Sequence, residues 1–150
     1  MTAWLVTGGA GYIGSHVVEA LLASGREAVV FDDFSSGLER RVPAGVPIVR
    51  GSVHDHAALT AAFVEFGISG VVHLAAKKAA GESVDIPLYY FRENVGGMLT
   101  LLEAMRDSGV KRLVYSSSAS VYGEPEANPV GEDAALQPES PYGQTKVVGE

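Results

Sequence analysis

The chain contains no cysteine, so it forms no disulfide and offers no thiolate to a metal; this suits a reducing compartment, and a cytoplasmic location is expected. No run approaches the roughly 18 consecutive apolar residues a membrane span requires. Met1-Thr2-Ala3-Trp4 enters an apolar segment with no basic stretch ahead of it, so neither a membrane anchor nor a secretory leader is expected. A Lys/Arg-rich block is also missing. With a formal net charge of -7, nucleic acid and anionic membrane are not expected as partners, and any anionic ligand must be held by a local site. His16, His54 and His56 show no convergent spacing for a metal. His73 lies in an apolar segment and reads as a satisfied core residue. What is present is an apolar content of 47% over 150 residues, enough to bury a substantial core in one domain.

The chain is organised around Thr7-Gly8-Gly9-Ala10-Gly11-Tyr12-Ile13-Gly14. Gly9, Gly11 and Gly14 satisfy G-x-G-x-x-G, and Gly8, Gly11 and Gly14 satisfy G-x-x-G-x-x-G. The flanks give the motif its context. Ala3-Trp4-Leu5-Val6 reads as a short buried strand, and Ile13, Val17, Val18, Leu21 and Leu22 share one face at helical spacing. Such a turn lets backbone N–H groups and a helix N-terminus meet a pyrophosphate, because glycine allows close approach without a Cβ.

Strand and helix signals then alternate, which predicts an α/β fold with a doubly wound parallel sheet. Ser24-Gly25-Arg26 ends the first helix, and Glu27 to Phe31 forms a second strand ending at Asp32. A third strand is expected over Val46 to Arg50. Asp55 caps a helix that carries Leu59, Ala62, Phe63 and Phe66 and closes at Gly67. Val71 to Leu74 forms a fourth strand. One continuous helix is expected from near Pro87 to about Asp107, burying Leu88, Phe91, Val95, Met98, Leu99 and Leu102. Tyr89-Tyr90 is left open, between packing under the sheet and a helix-helix seam. Arg112 to Tyr115 is the fifth strand, and a last helix starts at Tyr142. It reaches only about two turns, with no stop signal, so residues 1–150 are expected to be a dinucleotide-binding domain, truncated before the part that would grip a substrate. The 150-residue chain alone is expected to lack turnover.

Three constellations carry chemistry. Asp32 stands eighteen residues beyond Gly14, where a dinucleotide fold places a carboxylate to accept from ribose hydroxyls and repel a 2′-phosphate, favouring NAD. Tyr142-Gly143-Gln144-Thr145-Lys146 puts a tyrosine and a lysine at i and i+4 on one helix face. Free tyrosine titrates near 10, and a neighbouring ammonium favours its phenolate, which suits a general acid/base. Ser116-Ser117-Ser118-Ala119-Ser120 closes the fifth strand at the edge where open α/β sheets bind ligands.

Together with Val121-Tyr122-Gly123, these segments resemble the extended short-chain dehydrogenase/reductases. His73 to Val84, Asn94-Val95-x-Gly97 and Ser116 to Gly123 look like the UDP-glucose 4-epimerase branch of that family, and Lys78 to Val84 is the most specific part. The resemblance implies a Rossmann-like NAD-binding domain and C4 epimerisation of a UDP-hexose by transient hydride transfer. By match to the motifs, Tyr142 is the acid/base, Ser118 bonds the reacting oxygen, and Lys146 binds the nicotinamide ribose. The cofactor set is then Gly8, Gly11, Tyr12, Ile13, Gly14, Asp32, Asp33, Ser35, Ser36, Ser52, Val53, Leu74, Ala75, Ala76, Lys78, Asn94, Ser116, Tyr142 and Lys146. Lys78, Ser118 and Tyr142 face substrate, no metal is expected, and a homodimer through a helix pair is implied.

Two departures touch the adenosine end. Gly51-Ser52-Val53 stands where the family often has Gly-Asp-Ile, and Asp33 stands where it often has Asn; Asp33 accepts but does not donate when ionised. A dehydratase of the same family would carry an Asp-Glu pair where this chain has Ala119-Ser120. A related decarboxylase would keep the Glu, and an N-acetylhexosamine 4-epimerase is a further alternative. A dinucleotide-sensing module without turnover is the alternative from another class, which retention of Ser118, Tyr142 and Lys146 argues against for the full-length protein and which stays open for the 150-residue piece alone.

Overall fold

A computed structural model describes residues 3–125 and 127–150. In chain order the elements are β1 (Ala3–Thr7), α1 (Tyr12–Ala23), β2 (Ala28–Asp32), a 3-10 turn (Glu39–Arg41), β3 (Ile48–Arg50), α2 (His56–Glu65) and β4 (Ile68–His73). Then follow α3 (Ala80–Asp85), α4 (Pro87–Tyr90), a π-helical segment (Phe91–Gly96), α5 (Gly97–Asp107), β5 (Leu113–Tyr115), a second 3-10 turn (Ala119–Val121) and α6 (Pro141–Gly149). Two compact units divide them. The first comprises Met1–Ala75 with Gly97–Ser116, the second Ala76–Gly96 with Ser117–Glu150.

The first unit is a parallel five-stranded sheet in the order β3-β2-β1-β4-β5. Its strands are near-continuous apolar runs because both faces are covered. Alternation sorts their side chains. Leu5, Val29, Phe31 and Val71 pack with Leu59 and Phe63 of α2 and with Leu101, Ala104 and Met105 of α5. Val6, Val30 and Val72 point the other way and pack with Val18 of α1. The sheet is therefore doubly wound, in the Rossmann-like manner the sequence implies. Asp55 caps α2 by accepting from Ala58 N at 3.0 Å, and left-handed glycines end α1 and α5, Gly25 at φ +74 and Gly109 at φ +70. His73 is buried and bonds Thr7 Oγ1 at 2.7 Å, as a core histidine should.

The expected third strand begins two residues late. Val30 N bonds the Pro47 carbonyl, and Pro47 has no N–H to return, so regular pairing starts at Ile48.

The expected continuous helix from Pro87 is replaced by α4, the π-helical segment and α5, and α3 precedes them where the sequence carries no helix signal. The expected apolar face is also wrong in part. Met98 is buried, but Leu88, Leu99 and Leu102 are exposed. The buried positions are Tyr90 and Asn94 in the second unit and Gly97, Met98, Leu101, Ala104 and Met105 in the first. This stripe is less apolar than its neighbour, because it spends positions on a polar amide and on small residues that admit close approach. At Gly97 a Cβ would lie 2.7 Å from Val53 Cγ2. Among the described residues, no helix is long and apolar enough to cross a membrane.

Candidate functional site

In the first unit the glycine turn sits at the carboxyl end of β1, beside β4, where the strand order reverses. In open α/β sheets that reversal is where ligands bind. Gly8 adopts φ +71, donates to the Phe31 carbonyl at 2.9 Å, and would bring a Cβ within 2.9 Å of Ala75 N. Gly14 packs α1 onto the turn: a Cβ there would stand 2.1 Å from the Gly8 oxygen and 2.7 Å from Gly9 Cα. Both obstacles are backbone and cannot rotate away. Gly14→Ala is expected to destabilise the fold by about 1–3 kcal/mol, the usual cost of forced overpacking, read as a lower denaturant midpoint at unchanged slope.

Helix α1 opens at Gly11 with no side-chain cap and no acidic residue in its first turn. Its N-terminal N–H groups therefore meet neither a side-chain acceptor nor a competing charge. Tyr12 and Ile13 stand exposed beside them.

Asp32 is buried and braced from two sides. One carboxylate oxygen accepts from Ala10 N at 3.0 Å, the other from Phe34 N at 2.8 Å. Gly37 closes over the carboxylate, since a Cβ there would lie 2.8 Å from Asp32 Oδ1. The glycine turn and the end of β2 are thus tied through one side chain. Asp33 is exposed and accepts from Ser35 N at 2.8 Å; Ser35 and Ser36 are exposed too. Ser52 follows β3 and accepts from His54 N at 3.3 Å, while Val53 packs into the core. Leu74 and Ala75 leave β4 with their N–H groups toward Thr7 Oγ1, at 3.3 and 3.4 Å. Ser116 leaves β5, donating to the His73 carbonyl at 3.1 Å.

The second unit gathers the remaining candidates around α6. Ser140 caps that helix, accepting from Gly143 N at 3.1 Å, and Pro141 starts it. Lys146 is almost wholly buried, and burial pushes its ammonium down to about 8. Its Nζ lies 5.9 Å from the centroid of the Tyr142 ring. Ser118 caps the second 3-10 turn, its hydroxyl oxygen accepting from Ser120 N at 3.2 Å and Ser120 Oγ at 2.8 Å. That turn packs against the start of α6, because a Cβ at Gly143 would meet the Ser120 oxygen at 2.8 Å.

Asn94 has both ends of its amide engaged. It accepts from Lys77 N at 2.8 Å, donates to Lys77 O at 2.9 Å and also donates to Thr145 Oγ1 at 3.0 Å. It stands in the π-helical segment, a distortion that recurs at functional sites. Ala76 and Lys78 flank the residue it clamps, and Lys78 is exposed.

Four further residues at this site, Ser83, Thr145, Tyr90 and Glu82, receive no site role in the sequence reading. Buried Ser83 accepts from Tyr142 N at 3.0 Å and donates to Ala80 O at 2.5 Å. Thr145 donates to the Tyr142 carbonyl at 2.7 Å. Tyr90 is fully buried, donates to Glu82 Oε2 at 2.6 Å and presents its ring edge-on to Tyr142, centroids 6.5 Å apart. Of the pair left open, Tyr90 is buried in the second unit, with Tyr142 and Tyr89 as its aromatic neighbours. Burial first, then the bond to Glu82, raises the Tyr90 phenol above its ordinary range. Three of the four have a sequence signal: Thr145 lies inside the Tyr142 to Lys146 motif, and Glu82 and Ser83 lie inside the Lys78 to Val84 segment. Among the described residues, no group of three or more His, Cys, Asp or Glu is placed to hold a metal.

Residues 4–150 match the NAD dependent epimerase/dehydratase family. The UDP-glucose 4-epimerase of Streptomyces lividans is 47% identical over 145 residues, 96% of this chain and 44% of that protein. That of Corynebacterium glutamicum is 46% identical over 143 residues, 95% of this chain and 43% of that protein. Among solved structures, the UDP-glucose 4-epimerase from Brucella ovis in complex with NAD superposes with a TM-score of 0.96 at 39% identity, covering 99% of this chain and 46% of that one. The Thermus thermophilus UDP-glucose 4-epimerase complex with NAD gives a TM-score of 0.93 at 43% identity, covering 99% and 48%. The chain thus spans under half the length of the relatives it matches.

Proposed function

Because the chain belongs to the NAD dependent epimerase/dehydratase family, we propose that the protein carrying it interconverts UDP-glucose and UDP-galactose, inverting C4 of a UDP-hexose with bound NAD. The observation that carries this reading is the pair on α6, Tyr142 with the buried Lys146 ammonium beside its ring. The naming of relatives as UDP-glucose 4-epimerases supports the substrate. In this reading residues 1–150 are the dinucleotide-binding part, and the location is cytoplasmic.

The residues present fit a dinucleotide. Gly8 keeps the turn free of a Cβ, and α1 presents uncapped N–H groups at Gly11, Tyr12, Ile13 and Gly14, a cradle for a pyrophosphate. Each Asp32 oxygen accepts one backbone N–H, which leaves lone pairs for ribose hydroxyls while its charge repels a 2′-phosphate. Asp33, Ser35, Ser36, Ser52 and Val53 belong to the adenosine end. Leu74, Ala75, Ala76, Lys78, Asn94 and Ser116 hold the rest, and Lys146 the nicotinamide ribose. NAD supplies, when bound, a reversible hydride acceptor for the sugar C4.

Tyr142 takes the proton of the 4-hydroxyl and later returns it. The Lys146 ammonium stabilises the phenolate that forms. With Ser120 donating to it, Ser118 keeps its own proton for the reacting sugar oxygen, and Lys78 lies on the substrate side. Ala119 and Ser120 bring no carboxylate, so elimination of water has no proton donor there. We also assign a homodimer through α4 and α6. Leu88 is 84% exposed and Val148 60% exposed, which supports an apolar partner surface.

The test is to incubate the full-length protein that carries this chain with UDP-galactose and follow the sugars by proton NMR. UDP-glucose should appear, and the same mixture should be reached from UDP-glucose without net NAD reduction. A 4-keto-6-deoxy product released with water would overturn the proposal.

A further inference from the structure

The second unit carries a buried aromatic contact that the proposed chemistry does not use. The Tyr90 ring meets the Tyr142 ring edge-on at 82° and 6.5 Å, within the range where such pairs attract beyond their area. Tyr90 is itself fixed at its hydroxyl, which donates to Glu82 Oε2 at 2.6 Å and accepts from Ala79 N at 3.2 Å. The backbone beneath Tyr142 is pinned separately, its N–H by Ser83 and its carbonyl by Thr145. A half-buried tyrosine on a helix has two torsions, and these bonds hold the helix without holding the ring. The ring meets two side chains of this unit, the Lys146 ammonium 5.9 Å from its centroid and the Tyr90 ring edge-on, and of these Tyr90 is fixed at its far end by Glu82.

We propose that Tyr90, locked by Glu82, is a positioning residue that holds the Tyr142 phenol in the orientation from which it exchanges a proton with substrate. The proposal rests on Tyr142 being the acid/base. Misplacing a reacting group by about 1 Å can cost on the order of 100-fold in rate, so the ring contact has leverage although it never touches substrate. Glu82 needs only to accept a hydrogen bond, and a glutamine carbonyl oxygen can do the same. The phenol–carboxylate lock is therefore separable from charge.

The experiment measures kcat, KM, retained NAD and thermal midpoint for Y90F, Y90L, E82Q, E82L, the double variant Y90F/E82L, and Y142F, all in the full-length protein that carries this chain. Y90L should lower kcat by at least about 30-fold with KM within about twofold. Y90F and E82L should each lower it about 3–10-fold, and the double variant should be no worse than either, because both remove one bond. E82Q should restore nearly full kcat. If Y90L does not fold, Y90F, E82L and their cycle decide the matter. Unchanged kcat in Y90F and E82L, or losses that multiply in the double variant, would overturn the positioning role. So would losses that appear in KM or NAD content instead of kcat. Y142F separates the two ideas: full turnover in that variant would remove the acid/base reading itself, whereas inactive Y142F beside fully active Y90L would remove only the positioning.

Discussion

Tyr142→Phe is expected to lower kcat for C4 inversion by about 10²–10⁴-fold, the range contributed by a positioned general acid/base. The substitution is narrow. Phenylalanine keeps the ring that meets Tyr90 and keeps the backbone N–H that Ser83 accepts. Among the described residues, the bonds that hold position 142 run through its backbone. Loss of the hydroxyl should leave no buried partner unsatisfied, and the thermal midpoint should stay within about 1–2 °C, as for a change of a few tenths of a kcal/mol. Retained NAD, measured in the supernatant of denatured protein, should be largely kept, because phenylalanine removes one hydroxyl of the cofactor set and leaves the ring, Lys146 and the glycine turn in place. The discriminating result is therefore a kcat loss at constant stability with NAD largely kept. A variant that turns over within tenfold of the parent would move the acid/base role off Tyr142.

Much of this arrangement is legible in the chain because its parts are local. Gly8 to Gly14 are consecutive, Asp32 ends an apolar strand, and Tyr142 and Lys146 are one helical turn apart, so period and spacing suffice. The doubly wound sheet follows equally well from apolar runs that alternate with helical stretches. The misreadings cluster where burial is set by long-range packing. Leu88, Leu99 and Leu102 look like a core stripe, whereas the buried positions include Asn94 and Gly97, chosen for a hydrogen bond and for clearance against Val53. Hydropathy selects the greasier face; the structure selects the one that fits. Helix α3 is hidden from the sequence for a related reason. It opens with Ala-Gly and lacks a side-chain cap, so local propensity argues against it. It carries Ser83, whose value lies in accepting from Tyr142 N, fifty-nine positions along the chain.

Lys146→Met carries the second large effect, with opposite signs for stability and activity. Burial lowers the Lys146 pKa from 10.5 to about 8, so the folded state disfavours the ammonium. Below about pH 8 both folded and unfolded chains hold the proton, and the penalty is present in full. Between about 8 and 10.5 the unfolded chain binds more protons, so stability of the parent rises with pH; above that window the penalty is gone. At 1.36 kcal/mol per unit the penalty is on the order of 3 kcal/mol, reduced in practice by whatever contacts the ammonium makes. Methionine fills similar volume without charge. The variant should therefore be more stable than the parent at pH 7, by about 1–3 kcal/mol after that reduction. The advantage should shrink through about pH 8–10 and vanish near 10.5, which denaturant midpoints across that series would read. Activity should fall by about 10²-fold or more, since the cation beside the Tyr142 ring is lost. Equal stability of the two proteins at pH 7 would mean that the ammonium's own contacts fully offset its burial. A pH-independent gain would mean that the gain comes from packing and not from charge. A buried cation that destabilises its own fold is sensible only where it acts on something, and the Tyr142 ring lies within its reach.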